Sequence, residues 1–524
     1  MRRAQGTPIG LLRVSALLLL AATAAGCASL FPGLGAGGGL PDYERSLRRD
    51  LAAGHYEDAL RALAEDSSRI GDRLLRLQFR GLAAHYAGHP EASSEDLEAA
   101  AYMAEERYTR SLTNEALSLL TSDRIRPYRP SRVERLLIHH YGALNYLAAG
   151  DPEEAAVEAR RLAHLLDGVA DDSPDWARTS AGRSLRSVLR RVTGAVFDAA
   201  GEENDADVAY RLAERVAAPE AGGTRAAVDT AGADSAGEPP PEEWGEVVLV
   251  VEQGFAPHRV ERAVTTVLGV GYMRRLREEA DEVRAAERRT ASLSTAPGSE
   301  SRADSLGVAG AVAREILGEA SGSRRGRVRL VGGGGDGDED GEGDGGLRLL
   351  RLAWPELAPP VSARPVRGLA PVAADSALGA GAATRAEADL AGALAAEFRG
   401  GQVGRVARTL LRAVAKQAAA DALAEGVGDE DEGVGEVLGT AASIFAAAVE
   451  RADTRSWHLL PARISVLRLR LPPGEHRLAL ELDTPGSRGE RRVELGPVTV
   501  GRDRPTVVTH RVWPDRARID GRRR

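Results

Sequence analysis

Gly150-Asp151-Pro152-Glu153-Glu154-Ala155 decides the fold of the first half of this chain, because three other stretches repeat its design. They are Gly54-His55-Tyr56-Glu57-Asp58-Ala59, Gly88-His89-Pro90-Glu91-Ala92-Ser93 and Gly201-Glu202-Glu203-Asn204-Asp205-Ala206. A glycine at such a place ends one helix in the left-handed conformation, which side chains with a Cβ adopt at a cost. Proline, or another residue, then opens the next helix, where its missing N–H loses nothing. The small residue three positions further on lets the two helices approach closely. Gly81 and Gly194 lie seven residues before their turns and Gly142 eight, where the partner helix is expected to cross.

The flanking segments are rich in Ala and Leu at helical spacing, so residues 43–216 read as a helical domain built from hairpins. The first two turns are 34 residues apart, the period of the tetratricopeptide repeat. Later intervals of 62 and 51 residues predict a degenerate array with longer connections. An unrelated all-α bundle is the alternative.

Outward from these hairpins the character changes twice. Residues 217–243 are rich in Ala, Gly, Pro and Glu and poor in large apolar side chains, which predicts a disordered linker. Beyond it, Glu246–Glu252 (EVVLVVE) is a strand of the buried type, and 327–331 and 347–352 read as further strands. Helices are expected at 384–399, 402–425 and 433–451. Together these make an α/β domain over 244–451, with an insertion at 263–320 and an acidic Gly loop at 332–346. From Trp457 the pattern alternates again, and four candidate strands give a small antiparallel β module over 452–513, followed by a basic tail, 514–524. The expected architecture is multidomain α+β.

The N-terminus sets an address. Arg2, Arg3 and Arg13 precede or punctuate an apolar run, Leu11–Ala25, that ends in Ala24-Ala25-Gly26-Cys27. Charge, apolar core and small residues in that order are a secretory signal, residues 1–26, and it is too short for a stable anchor. The ending resembles a bacterial lipobox, which implies diacylglycerol on Cys27 and a Gly-rich tether over 27–42. Cys27 is the only cysteine, so no intramolecular disulfide and no thiolate zinc site can form. Ala28 rather than Asp after the cysteine favours the outer membrane, facing the periplasm. The whole chain carries −8, which argues against general nucleic-acid binding. Only Lys416 among the 69 basic residues is not Arg, so the arginines reflect coding bias rather than phosphate recognition.

Candidate sites are few. The opening Asp336-Gly337-Asp338-Glu339-Asp340-Gly341 matches a calcium loop, but position twelve is Leu347 instead of a bidentate acid, which favours a solvated acidic hairpin. On the helix near 403–418, Arg405, Arg408, Arg412 and Lys416 fall within about 80° of one another, opposite Val403, Leu410, Leu411 and Val414. This basic stripe is an interaction surface for lipid phosphate or an acidic partner, or else a solvated face. Asp453, Arg455 and Trp457 form a polar and aromatic junction that charge-assisted bonds would lock. His139 and His140 diverge on a helix and do not share a metal, and no phosphate loop, nucleophile elbow or Rossmann fingerprint is present. The expectation is no catalytic residues, no metal and no cofactor.

Arg132-Val133-Glu134-Arg135-Leu136-Leu137-Ile138-His139-His140-Tyr141 through Asn145 to Asp151, with Val157-Glu158-Ala159-Arg160-Arg161, resembles a family of uncharacterised bacterial tetratricopeptide-type lipoproteins. Gly254-Phe255-Ala256-Pro257, the Arg408…Lys416 helix and Ala452–Trp457 with Leu460-Pro461 are similar too. The resemblance implies one continuous architecture and no known activity. The function expected is a membrane-anchored scaffold or accessory factor that binds a protein partner in the envelope, of unspecified oligomeric state. The alternative is a carboxylate-dependent hydrolase acting on peptidoglycan or glycan.

Overall fold

The computed structural model describes residues 40–520, except 66–68, 111–125, 173, 218–242, 269–274, 279–308, 315–328, 332–347, 372–383, 428–450 and 484–490. The signal, Cys27, the tether up to residue 39, nearly all of the linker, the acidic loop and the 433–451 helix (bar its last residue) therefore lie outside the described residues, while Asp42, the expected end of the tether, opens the first helix.

Helices α1 (Asp42–Ala52), α2 (Tyr56–Glu65), α3 (Arg73–Ala87), α4 (Pro90–Arg110), α5 (Arg132–Ala148) and α6 (Pro152–Asp172) come first. A single turn, α7 (Asp175–Arg178), precedes α8 (Ser180–Ala200) and α9 (Glu203–Ala217). The four turn glycines have φ of 78°, 79°, 81° and 82°, so each is left-handed as its motif requires. Ala59, Ser93, Ala155 and Ala206 are all fully buried where the hairpin arms meet. A Cβ on Gly81 would reach Leu97 at 2.8 Å, one on Gly142 would meet Glu158 at 3.1 Å, and one on Gly194 would strike the Tyr210 ring at 2.5 Å. The helices are capped with some care: Ser131 and Glu134 close a reciprocal capping box at the start of α5, and Asp72 accepts from Leu74 N and Leu75 N at the start of α3.

The second half supplies β1 (Gly245–Gln253), β2 (Arg259–Leu268), β3 (Arg329–Val331), β4 (Arg348–Leu357), β5 (Val366–Pro371) and β6 (Thr384–Ala388). Then come α10 (Leu390–Gly400), α11 (Gln402–Val427), β7 (Arg463–Leu471), β8 (Gly474–Leu482), β9 (Arg491–Val500), β10 (Thr506–Val512) and α12 (Arg516–Ile519). One sheet has the order β10-β1-β7-β6, a second β3-β2-β4 and a third β5-β8-β9.

The unbroken apolar run of β1 now has its reason. Val248 and Val250 join one core with the helices, including Leu82, Leu137, Tyr141 and Leu189, whereas Val247, Leu249 and Val251 join another with Leu469, Leu480 and Val500. A strand covered on both faces has no solvent side on which to alternate. In β7 the same division holds, with Ile464 and Val466 on the helical face and Leu467, Leu469 and Leu471 on the other. The four-stranded sheet thus lies between a helical layer and the β5-β8-β9 sheet.

That packing revises the expected organisation. The mixed α+β class holds, with helices over 42–217 and small sheets after them. Yet residues 40–524 cluster as one compact unit, and the helical core continues into Phe255, Trp457, Leu459 and Leu460. The expected limits near 217 and 451 are not boundaries of packing. The C-terminal strands do not form a separate antiparallel module either: β10 pairs with β1 in parallel, β7 pairs with β1 antiparallel, and β8 lies between β5 and β9. Residues 384–388 are a strand against β7, so the helix expected from 384 starts at Leu390, capped by Asp389. The presumed insertion begins inside β2, and its helical pieces at 275–278 and 309–314 bring Leu276, Ala309, Val312 and Ala313 against the apolar face of α11. Part of the tail is ordered too. Asp520, just past α12, accepts from Arg49 of α1 at 2.6 Å.

Candidate functional site

Two features stand out in the helical layer: a buried polar seam that fixes it to the sheet, and an open groove on the hairpins.

The seam begins with the alternation of β1. Glu252 falls on the same face as Val248 and Val250, so its carboxylate points into the helical layer. Tyr86 of α3 and Tyr141 of α5 each donate a hydroxyl to it, at 2.5 Å, and Arg511 of β10 lies 3.4 Å away. The Arg511 and Glu252 side chains are only 3% and 2% exposed, so this is an ion pair inside the core. Arg511 also donates to the carbonyls of Gly254 and Leu459 and lies over the rings of Tyr86, Phe255 and Trp513. Burial opposes the charge on Glu252, but Arg511, His85 and the two tyrosines overcome it and hold the carboxyl below its ordinary range. Burial raises both tyrosines well above theirs.

A hydrogen-bond relay ties the second and third hairpins together beside this pair. His85 Nδ1 meets Asn145 Oδ1 at 2.6 Å, Asn145 Nδ2 donates to Ser93 Oγ at 2.8 Å, and Ser93 donates to Gly81 O at 2.7 Å. Because Asn145 offers its oxygen, His85 carries its proton on Nδ1. Ser93 is the small residue of the Gly88 turn, here used for its hydroxyl as well as its size.

A second buried group joins α1 to the loop before β7. Arg48 donates through Nε to His458 Nδ1 at 3.2 Å and through Nη2 to Ala256 O at 2.9 Å and His458 O at 2.7 Å. An arginine only donates, so Nδ1 accepts, and Nε2 of His458 carries the proton given to Glu44 at 2.7 Å. Burial lowers Arg48 to about 9. Trp457 is buried, and its backbone N donates to Glu134 at 2.9 Å. Asp453 and Arg455 make a two-pronged contact at 2.7 and 2.8 Å, and Arg455 reaches on to the Arg126 carbonyl at 2.7 Å. The 452–460 segment therefore threads between the layers as a fastening.

The basic stripe is not a single surface. Arg408 is exposed and Arg405 and Lys416 are partly covered, but Arg412 is buried along with Thr409 and Gln417. A helical wheel assumes one packed face, whereas α11 is packed well round its circumference, so an arginine at the border of the apolar side is enclosed. Arg405 is further committed to the Phe398 carbonyl and ring.

The groove runs along α4, α5 and α6 and encloses about 710 Å³. Its floor is apolar, with Ala104, Leu136, Ile138 and Val169, and Tyr102 and Tyr108 stand on the α4 rim, 75% and 50% exposed. The α5 wall is held from the sheet side. Glu397 of α10 accepts Arg132 N at 2.6 Å and Val133 N at 3.2 Å, so it caps the helix that carries the groove floor. Burial, despite those bonds, pushes its carboxyl up to about 7. Nothing in the residue pattern announces this groove, since tyrosines that pack and those that do not look alike without the third dimension. Among the described residues, no group of three or more His, Cys, Asp or Glu is arranged to hold a metal, and no helix is long and apolar enough to cross a membrane. No family model, curated protein or solved structure matches this chain.

Proposed function

We propose that this chain is a lipid-anchored envelope protein that uses the α4–α6 groove to hold a protein partner, as a scaffold or accessory factor in envelope assembly or regulation. The observation that carries the reading is the groove itself: helix surfaces, an apolar floor and two tyrosines left in solvent. Tyrosine supplies large contact area at small entropy cost, and exposed apolar concavities of this kind suit helical or extended peptides. The hairpin layer belongs with degenerate tetratricopeptide-type repeats, which present such grooves. The lone Cys27 after an apolar run and small residues supports diacylglycerol attachment and a periplasm-facing outer-membrane address.

Two measurements test the proposal. Cys27→Ser should move the protein from the membrane fraction to the soluble periplasmic one. A photo-crosslinking residue at position 102 should trap one reproducible protein, while the same residue at exposed position 207 should not. Membrane association that ignores Cys27, or crosslinks alike at both positions, refutes it.

A further inference from the structure

The two ends of the groove differ in electrostatics. At the Tyr108 end the cations are matched by acids: Arg132 donates to Asp172 at 2.8 Å and Arg135 to Glu105 at 2.7 Å, with the Arg135 guanidinium 4.5 Å from the Tyr108 ring. At the other end three carboxylates gather around the hydroxyl of Tyr146. Glu98 accepts its proton, and Glu154 and Glu158 add their charge. The Glu98 hydrogen bond most of all, then burial and the charges of the three carboxylates, raise the tyrosine above its ordinary range. Among the described groove residues, Glu158 is met by Arg161 and by His139, whose Nδ1 lies 2.7 Å from it, and His164 also lines the groove.

Glu158 is itself buried and fits beneath α5 because position 142 is glycine. Its carboxylate also lines a crevice that continues the groove between α4 and α5, together with Glu98, Ile138 and Tyr146. Tyr102 stands one turn from Glu98, on the same side of α4. An apolar floor thus runs from a neutral end to an end with surplus negative charge, flanked by an exposed aromatic face.

We infer that the groove takes a basic amphipathic peptide segment of a partner protein, with a Lys or Arg side chain lodged among Glu98, Glu154 and Tyr102 and apolar side chains along Leu136, Ile138 and Val169. This rests on the scaffold reading above. A cation over tyrosine gains from the ring face, and a partly desolvated ammonium or guanidinium gains from two carboxylates. Charge of one sign at one end also sets the direction in which the segment lies.

The test compares three synthetic amphipathic helical peptides of one apolar pattern, with Lys, Gln or Glu on the polar face, binding to the full chain by fluorescence anisotropy. The Lys peptide should bind best. Its affinity should fall about tenfold in the double variant Glu98→Gln/Glu154→Gln, fall with added salt, and hold in the control Asp207→Asn. Equal or tighter binding of the Glu peptide, or indifference to Glu98→Gln/Glu154→Gln, overturns the cation inference and leaves the groove reading standing. Binding of none of the three, or binding unaffected by Tyr102→Ala/Tyr108→Ala, removes the groove reading as well. Circular dichroism of each variant establishes that these surface changes leave the fold in place.

Discussion

Replacing Arg511 by Met is the sharpest probe of how the two halves are joined. The guanidinium lies 3.4 Å from Glu252 inside the core, a separation worth about 5 kcal/mol of attraction at an effective dielectric near 20. Removing it leaves the Glu252 carboxylate with its two tyrosine donors and frees the carbonyls of Gly254 and Leu459 from their common partner. Breaking a buried pair in this way costs about 3–5 kcal/mol, and the retained tyrosines place the expected loss toward the lower figure. The pH dependence gives a signature that packing loss lacks. In the parent protein the Glu252 carboxyl is held below its ordinary range, so its contribution is present above that range and is lost as pH falls through the lowered value. Without Arg511, burial raises it, and stability is lost as pH rises. The gap between parent and Arg511→Met should therefore widen from pH 5 to pH 8. Urea denaturation followed by tryptophan fluorescence and far-ultraviolet circular dichroism measures it, and Glu252→Gln/Arg511→Met should recover part of the loss. A cost below about 1 kcal/mol, or a gap that ignores pH, refutes the argument.

Two further outcomes follow from the geometry. Gly194→Ala drives a methyl against the Tyr210 ring and should cost about 1–3 kcal/mol by the same denaturation assay, whereas Gly54→Ala, with open space but φ of 78°, should cost about 1 kcal/mol; the reverse order would contradict the packing described. Glu397 is held up to about 7, above its ordinary value, so the folded chain binds more protons than the unfolded one between the two. Its contribution to stability falls as pH rises from about 4.5 to about 7, and Glu397→Gln should flatten that part of the stability–pH profile; an unchanged slope would show that another group titrates there.

Much of the helical layer was legible because glycine at a helix end is a local requirement. Gly54, Gly88, Gly150 and Gly201 each need a positive φ regardless of what packs around them, and Gly81, Gly142 and Gly194 report close crossings directly. The strands from 464 onward were legible from their alternation. What the sequence withheld was which surfaces meet. An apolar run such as Val247–Val251 announces burial on two sides but not that helices cover one of them and β8 the other. Glu252 read as the polar end of a strand, since nothing local links it to an arginine 259 residues away. Arg412 read as part of a surface stripe because periodicity on α11 knows nothing of the segments packed around it. The groove followed the same rule: Tyr102 and Tyr108 differ from Tyr141 only in what the fold leaves uncovered.

The parallel pairing of β10 with β1 has a consequence in time. The helical hairpins form contacts between near neighbours and can assemble early, wherever the chain folds, but β1 stays open along one edge until residues 506–512 are in place. Throughout that interval Glu252 has no arginine, and the apolar strand beside it is a template for any other extended chain. Among the described residues the last strand is therefore the one that completes the sheet, and trimming the chain back past Trp513 by even a few residues should yield an aggregating product rather than a slightly shorter protein.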